Sequence, residues 1–197
     1  MLRGLAELLL LIAPLVLGGV SNQLYLRLPA VRQWNAPLDA GRRGRDGAPL
    51  LGGNKTWQGL AGMALLTAAW MAAVAGLARH WPWLGQFARL DYAGWSWPLE
   101  PLAYGALWGL AYGLAELPNS YFKRRLGIGP GANVGGPRGL ALRALDQLDS
   151  VAGCVLVLPV FYAPGLAEAA AILLLGGAVH YTVNLALYGL GLKGQAG

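Results

Sequence analysis

The chain has 197 residues, of which 56% are apolar and 12% are charged, and its net charge is +6. The apolar residues form long runs instead of being spaced amphipathically, which excludes an ordinary soluble core and favours a membrane protein. The basic residues lie between these runs, where membrane topology accounts for them, so we expect no nucleic-acid binding.

Five apolar segments are each about long enough to cross a bilayer as a helix, which takes about 20 residues. They predict an all-α integral membrane protein, a bundle of five transmembrane helices with two long cytoplasmic loops. No repeat or linker divides the chain, so residues 1–197 are expected to form a single membrane-embedded domain. The predicted spans are residues 5–20, 59–78, 95–115, 145–162 and 169–190.

The first span follows Arg3, as the apolar part of a secretory signal would. No small-residue cleavage site follows it, so we interpret it as a retained span. The loop after it ends in Gly52-Gly53 and then Asn54, Lys55 and Thr56. Glycines expose backbone N–H groups, and a cation and a hydroxyl at a helix start favour phosphate binding. The spacing is not that of a P-loop.

Upstream in the same loop, Asp39 and Asp46 lie among three arginines. Such a mixed patch is typical of a solvated surface, and a substrate role is the less favoured interpretation. Between the second and third spans lies an aromatic cluster, which we assign to anchoring at the membrane interface in preference to ligand binding. Its members are Trp81, Trp83, Phe87, Tyr92, Trp95 and Trp97.

The loop predicted after the third span runs from Glu116 to the cations that precede a Gly- and Pro-rich stretch. Three successive cations beside a span are by themselves explained by topology. Together with amide and hydroxyl donors just before them, they favour phosphate binding. The candidates are Asn119, Ser120, Lys123, Arg124 and Arg125.

Asp146 and Asp149 open the fourth predicted span. Carboxylates three residues apart lie on the same side of a helix and can ligate a hard cation. Mg²⁺ fits because it binds one or two carboxylates and completes its shell with water and phosphates. For the spacing alone, a solvated helix cap is the more frequent explanation.

The fifth span carries His180 and Asn184, four residues apart and therefore on one helix face. Polar side chains within a span face the protein interior or a wet cavity, so both are candidate site residues. An interhelical hydrogen bond that only fastens the bundle is an equally good explanation.

Lysines and arginines near span ends are retained in the cytoplasm. Twelve of the 15, including Lys193 in the tail, fall on the side of the two long loops, and Arg3, Arg79 and Arg89 fall on the other. We therefore predict a multi-pass protein of the inner (cytoplasmic) membrane, with its N-terminus outside and both loops and the C-terminus inside.

From about Pro37 to Leu192, the chain resembles the CDP-archaeol synthases in the order and spacing of its motifs. The Ser-x-x-Lys-Arg element and the Asp-x-x-Asp pair are also similar to the larger CDP-diacylglycerol synthases, but the Lys-Asp and His-Gly-Gly elements of that branch are missing. The motifs are Asp39 with Asp46-Gly47, residues 53–59, residues 119–127, residues 146–149, and His180 with Asn184.

The resemblance implies a Mg²⁺-dependent reaction in which CTP and a phosphatidate-like lipid phosphate give a CDP-lipid and pyrophosphate. By this hypothesis the two aspartates hold the metal, and Lys55, Lys123 and Arg124 neutralise phosphate oxygens. Asn54, Thr56, Asn119, Ser120, Arg125, His180 and Asn184 would bind or orient the substrates.

Two rival functions are weighed against this hypothesis. The first is a non-catalytic lipid-binding or transport membrane protein, whose polar residues only set topology and packing. The second is a CDP-alcohol phosphotransferase, whose Asp-Gly-x-x-Ala-Arg pattern is missing here. The lipid tails stay open between isoprenoid ethers and acyl esters, because any apolar groove accepts either. Nothing in the sequence indicates an oligomeric state.

Overall fold

The computed structural model describes residues 2–130, 132 and 134–192, and this part of the chain is helical, with irregular loops. Lys193, part of the topology count, lies outside the described residues. Five long helices are joined by loops that contain two helical turns, α2 and α4. The helices are α1 (Leu2–Tyr25), α2 (Pro29–Arg32), α3 (Trp57–His80), α4 (Pro82–Gly85), α5 (Leu99–Arg125), α6 (Gly136–Val157) and α7 (Leu166–Gly189).

Each of the five long helices overlaps one predicted span, but the boundaries differ: α5 begins four residues after the predicted start at residue 95, and α6 ends five residues before the predicted end at residue 162. Among the described helices, α1, α3 and α7 are long and apolar enough to cross a membrane. The ends of α5 and α6 carry charged residues that the predicted spans excluded, so the five-span bundle stays a prediction for these two. Proline is tolerated inside α1 at Pro14 and inside α5 at Pro118, while Pro159 lies in the short 3-10 turn that follows α6.

The expected loop at residues 116–125 is helical, and this corrects the sequence interpretation. Helix α5 continues without interruption through Pro118 to Arg125. Likewise α6 begins at Gly136, well before the predicted span at residue 145. Both extensions contain charged residues that end an apolar run, so a membrane-span criterion does not detect them, although a helix can continue once it leaves the bilayer.

Small residues let neighbouring helices approach closely. A β-carbon at Gly109 would lie 2.4 Å from the Met63 carbonyl oxygen of α3. One at Gly153 of α6 would lie 2.8 Å from the Ala111 carbonyl oxygen of α5. Glycine at helix contacts is the usual device for packing membrane helices, where dispersion contacts between closely apposed backbones replace the hydrophobic effect. The order of packing is α1, α3, α5, α6, α7.

The bundle has two ends. We call the loop end the one at which residues 26–56 and 126–130 lie, and the aromatic end the one at which residues 81–98 and 158–165 lie. At the loop end, α1 meets the start of α3, because Asn22 donates to the Gly59 carbonyl (3.0 Å). At the aromatic end, Arg89 joins the start of α1 to the start of α7 through Glu7 and Glu168.

Candidate active site at the loop end

A cavity of about 460 Å³ opens among the five long helices. Its deeper wall is apolar, and its wall nearest the loop end is polar. The apolar lining includes Ile12, Leu15, Val16, Met63, Ile172 and Val179. The polar lining includes Asn54, Lys55, Thr56, Tyr112, Glu116, His180 and Asn184. The cavity therefore suits a ligand with one charged and one apolar part.

The two aspartates of α6 meet α5 beside this cavity. Asn119 donates its side-chain amide to Asp146 (2.6 Å) and to Asp149 (2.7 Å). Lys123, one turn further along α5, forms an ion pair with Asp146. The aspartates lie well inside α6, which begins at Gly136, and so do not cap that helix.

The donors at this point fit a hard divalent cation. Asp146 and Asp149 offer carboxylate oxygens, and the Asn119 side-chain oxygen is buried without a hydrogen-bond partner in the described part of the chain. Mg²⁺ takes oxygen ligands, usually one or two carboxylates with water and substrate phosphates. Within the described residues, no group of three or more His, Cys, Asp or Glu side chains is placed to hold a metal. The two carboxylates match the pattern of Mg²⁺, and the Asn119 amide presents its nitrogen to them.

A second ion pair extends the charged region along α5. Lys55, just before α3, pairs with Glu116, and both side chains are about four-fifths buried. The Ser150 hydroxyl of α6 lies 3.0 Å from Glu116 and 3.1 Å from Asp149. Ser150 therefore connects the Lys55 pair to the aspartate pair, and the charged groups form one continuous region beside the cavity.

The three successive cations of α5 point in three directions, since successive residues of a helix are about 100° apart. Lys123 faces Asp146. Arg125 pairs with Asp46 and donates to the Ala48 carbonyl (3.1 Å), which ties the first loop to α5. Arg124 is only 6% exposed, and its Nε and Nη1 are buried without a hydrogen-bond partner in the described residues.

Arg124 lies under the loop that contains Gly52. A β-carbon at Gly52, whose φ is +109°, would lie 3.4 Å from Arg124 Nη1 and 2.9 Å from Pro130. This close approach and the positive φ both require glycine. Ser120 is half-buried one turn before Arg124 on α5. A buried guanidinium with unused donors beside a cavity is suited to binding an anion.

Asp39 holds the first loop in shape. Its carboxylate accepts hydrogen bonds from the backbone N–H groups of Gly41 (3.0 Å), Leu51 (2.9 Å) and Gly52 (3.3 Å). Burial raises the pKa of Asp39, but these bonds outweigh it and the pKa lies below its ordinary value. Asp39 therefore positions the Gly52 turn instead of forming part of a merely solvated patch.

At the end of this loop the candidate residues have different surroundings. Thr56 caps α3, and its hydroxyl accepts from the Gly59 N–H (3.1 Å). Asn54 is exposed and lies at the mouth of the cavity. Lys55 lies between them and points to Glu116. All three line the cavity.

His180 and Asn184 of α7 line the cavity and contact neighbouring helices. His180 Nε2 lies 3.0 Å from the Tyr112 hydroxyl of α5, and its Nδ1 lies 3.3 Å from the Gln147 carbonyl of α6. The Asn184 amide donates to the Gln147 side-chain oxygen (3.1 Å). The interhelical hydrogen bonds weighed from sequence are present, and the site role of both side chains stays a prediction.

Four residues of this region are not among the site residues predicted from sequence: Tyr112, Glu116, Gln147 and Ser150. A signal was present for Glu116, because Glu116, Asn119 and Lys123 are spaced as one face of a helix. It was missed because residues 116–125 were interpreted as a loop. Gln147 and Ser150 contact other helices, and no local pattern predicts such contacts.

Comparisons with known proteins agree on one family. The family model described as "CarS-like: CDP-archaeol synthase" matches residues 29–196. The CDP-archaeol synthase of Thermofilum pendens is 33% identical over 189 residues, covering 95% of this chain and 79% of the relative. That of Methanosphaerula palustris is 32% identical over 180 residues, covering 86% and 95%.

A solved structure resembles the fold along nearly the whole chain. It is described as "Structural insight into an intramembrane enzyme for archaeal membrane lipids biosynthesis". The TM-score is 0.56 at 24% sequence identity, and the match covers 94% of this chain and 92% of the other. The similarity shows a shared fold.

Proposed function

Since this chain belongs to the CarS-like CDP-archaeol synthase family, we propose that it is a membrane cytidylyltransferase that transfers CMP from CTP to a lipid phosphate. The products are a CDP-lipid and pyrophosphate. The observation that carries the proposal is the meeting of an aspartate pair, three buried or half-buried cations and a half-apolar cavity at one end of the bundle.

The reaction brings two anions together. An oxygen of the lipid phosphate forms a bond to the α-phosphorus of CTP, while the bond from that phosphorus to the departing pyrophosphate breaks. The barrier is mainly one of positioning and charge. A lipid phosphate is already ionised near neutral pH, so the reaction needs no general base.

Cations supply the neutralisation. Arg124 has buried N–H donors without partners, and a phosphate would accept hydrogen bonds from them. Lys55 and Lys123 are held on Glu116 and Asp146, and exchange of those carboxylates for phosphate oxygens would bring both cations onto the substrates. Asn54, Thr56, Ser120 and Arg125 are the accompanying candidates for binding CTP.

Asp146 and Asp149, which lie together at the Asn119 amide, are the groups that would hold Mg²⁺. When bound, Mg²⁺ would neutralise charge on the triphosphate as a Lewis acid. The lipid tails would occupy the apolar wall of the cavity beside α1 and α7. We propose archaeol-type isoprenoid tails from the family's name, with phosphatidic acid as the substrate to compare.

The loop end is proposed to face the cytoplasm, where CTP is available. The excess of lysine and arginine in residues 26–56 and 123–143 supports this orientation. The chain would then cross the cell membrane several times, with its N-terminus outside.

The test supplies purified protein with radiolabelled CTP, Mg²⁺ and either archaeol-type phosphate or phosphatidic acid. CDP-lipid and pyrophosphate are measured for the wild type, Asp146→Asn and Asp149→Asn. We expect each substitution to lower kcat by about 100-fold or more, because each removes an ionised ligand from the site where charge develops.

Asp91→Asn is the matched control. Asp91 is exposed at the aromatic end and accepts only local backbone bonds from the Gly94 N–H (3.0 Å). Its substitution makes the same chemical change far from the cavity and is expected to leave transfer unchanged. A protein that binds lipid but makes no CDP-lipid under any condition would instead support the non-catalytic rival.

A further inference from the structure

Gln147 lies between the two aspartates of α6 in sequence but faces a different helix. Asp146 and Asp149 both contact Asn119 of α5. Gln147, about 100° further around the helix than Asp146, contacts α7 and is only 8% exposed. The same turn of α6 is therefore held from two sides.

Helix α7 holds Gln147 by two hydrogen bonds. Asn184 donates its amide to the Gln147 side-chain oxygen (3.1 Å). His180 Nδ1 lies 3.3 Å from the Gln147 backbone carbonyl. Because a carbonyl oxygen only accepts, this contact assigns the ring proton to Nδ1. One bond thus holds the side chain of Gln147, and the other holds its backbone.

The opposite nitrogen of the same ring reaches α5. The Nε2 of this ring lies 3.0 Å from the Tyr112 hydroxyl, which is the donor when the ring is neutral with its proton on Nδ1. Tyr112, His180 and Gln147 therefore link α5, α7 and α6 in series. Two glycines of α7 allow the close approach, since β-carbons at Gly176 and Gly177 would lie 2.7–2.8 Å from Val151 and Leu148 of α6.

We propose that Gln147 is a positioning residue for the carboxylate pair. Its two bonds to α7 fix the rotation of α6 about its own axis, so that Asp146 and Asp149 both face Asn119. A helix held on the α5 side alone could rotate and withdraw one carboxylate. The inference rests on the proposed function in so far as the aspartates hold a divalent cation.

The experiment measures Mn²⁺ binding to the purified protein without CTP, by the loss of the free-ion electron paramagnetic resonance signal. Gln147→Met keeps the length and volume of the side chain and removes the acceptor. We expect the Kd for Mn²⁺ to rise about 10-fold, the lower range for groups that orient metal ligands. Asn184→Leu removes the donor of the same bond and should raise the Kd equally.

The double variant tests whether both changes act through one contact. Gln147→Met with Asn184→Leu should bind Mn²⁺ no more weakly than either single variant, because the shared bond is already lost. Thr182→Val is the control, since Thr182 is exposed on α7 and donates within its own helix to the Ala178 carbonyl (2.9 Å). It should bind Mn²⁺ as the wild type does.

Two results would overturn the proposal. One is wild-type Mn²⁺ affinity in Gln147→Met, including the case in which its thermal stability falls, since that outcome leaves Gln147 a packing role only. The other is additive weakening in the double variant. Failure of the proposed function is distinguishable, because a wild type that binds Mn²⁺ but makes no CDP-lipid leaves this comparison intact.

Discussion

The two ends of the bundle each carry a cluster of charged side chains. The clusters differ in whether their least exposed arginine has carboxylate partners within the protein. At the aromatic end, both terminal nitrogens of Arg89 have carboxylate partners, Glu7 and Glu168, although its Nε is buried without a hydrogen-bond partner among the described residues. The Tyr162 hydroxyl adds a hydrogen bond to Glu168 (2.7 Å). The cation there lies between two anions and joins α1 to α7.

At the loop end, the buried Arg124 has two nitrogens without a hydrogen-bond partner in the described residues. Lys55 and Lys123 have carboxylate partners, but both pairs lie beside the cavity or the aspartate site. Burial of an unpaired charge lowers stability, so a protein keeps one where a ligand completes it. The aromatic-end cluster joins helices, whereas the loop-end cluster has the unpaired cation that the proposed function requires for binding an anion.

The largest effect is expected when the unpaired cation is removed. Arg124→Met should lower kcat/KM for CTP by about 100-fold or more, the loss typical of removing a group that stabilises developing charge. The same substitution should raise the Tm of the ligand-free protein, because it removes a buried charge that lacks partners. Steady-state transfer assays and thermal unfolding in detergent measure the two effects.

Arg45→Met is the control for Arg124→Met. Arg45 is an exposed cation of the first loop. Its loss changes net charge by the same amount and is expected to leave both transfer and Tm close to the wild type. If Arg124→Met transferred CMP as the wild type does, the loop-end cluster would not differ in function from the aromatic-end cluster.

A smaller effect is expected from loosening the loop above Arg124. Asp39→Asn replaces a carboxylate that accepts from Leu51 and Gly52 with an amide that must turn an N–H₂ group toward one of them. We expect the KM for CTP to rise about 10-fold, one lost charge-assisted contact being worth about 1.5–3 kcal/mol, with little change in kcat. Kinetics at saturating lipid phosphate measure this split.

The pH dependence of the KM for CTP in the wild type tests the role of the Asp39 carboxylate. Because the folded pKa of Asp39 is below its ordinary value, its stabilisation is fully present above the unfolded pKa of about 3.9 and is lost as pH falls through the folded pKa. The KM for CTP should therefore show no contribution from Asp39 between pH 5 and 8. A step in that range that disappears in Asp39→Asn would contradict this assignment.

The sequence predicts the five long helices because each contains an apolar run, and runs of that length have few alternatives to a helix. It does not predict that α5 and α6 continue beyond those runs. Leu117-Pro118 looks like the end of a helix, yet α5 passes through Pro118. Proline within a helix is accommodated when neighbouring groups satisfy the backbone.

Because residues 116–125 were interpreted as a loop, the arrangement of the candidate site was not predicted. As a loop, residues 123–125 are one basic patch, whereas on a helix their three side chains point to Asp146, the Gly52 turn and Asp46. The aspartate pair was found because its spacing is local. Gln147 was not singled out, because its contacts to α7 depend on helix packing, which no local spacing predicts.

The smallest effect on activity is expected at the aromatic end, where the change in stability has the opposite sign to that of Arg124→Met. Arg89→Met should leave kcat/KM for CTP within about twofold of the wild type. It should lower the free energy of unfolding by about 1–3 kcal/mol, because Glu7 and Glu168 lose the cation between them while three-quarters or more buried. Transfer assays and unfolding in detergent measure both quantities.

Arg79→Met is the matched control, since Arg79 is exposed at the same end and donates to a backbone carbonyl of Trp95 (3.0 Å). It should change neither quantity by much, because an exposed hydrogen bond is readily replaced by water. If Arg89→Met abolished transfer while leaving unfolding unchanged, the aromatic-end cluster would be part of the catalytic machinery. If Arg89→Met lowers stability and Arg124→Met raises it, the presence of carboxylate partners, and not charge or burial alone, distinguishes a cation that joins helices from one that binds a ligand.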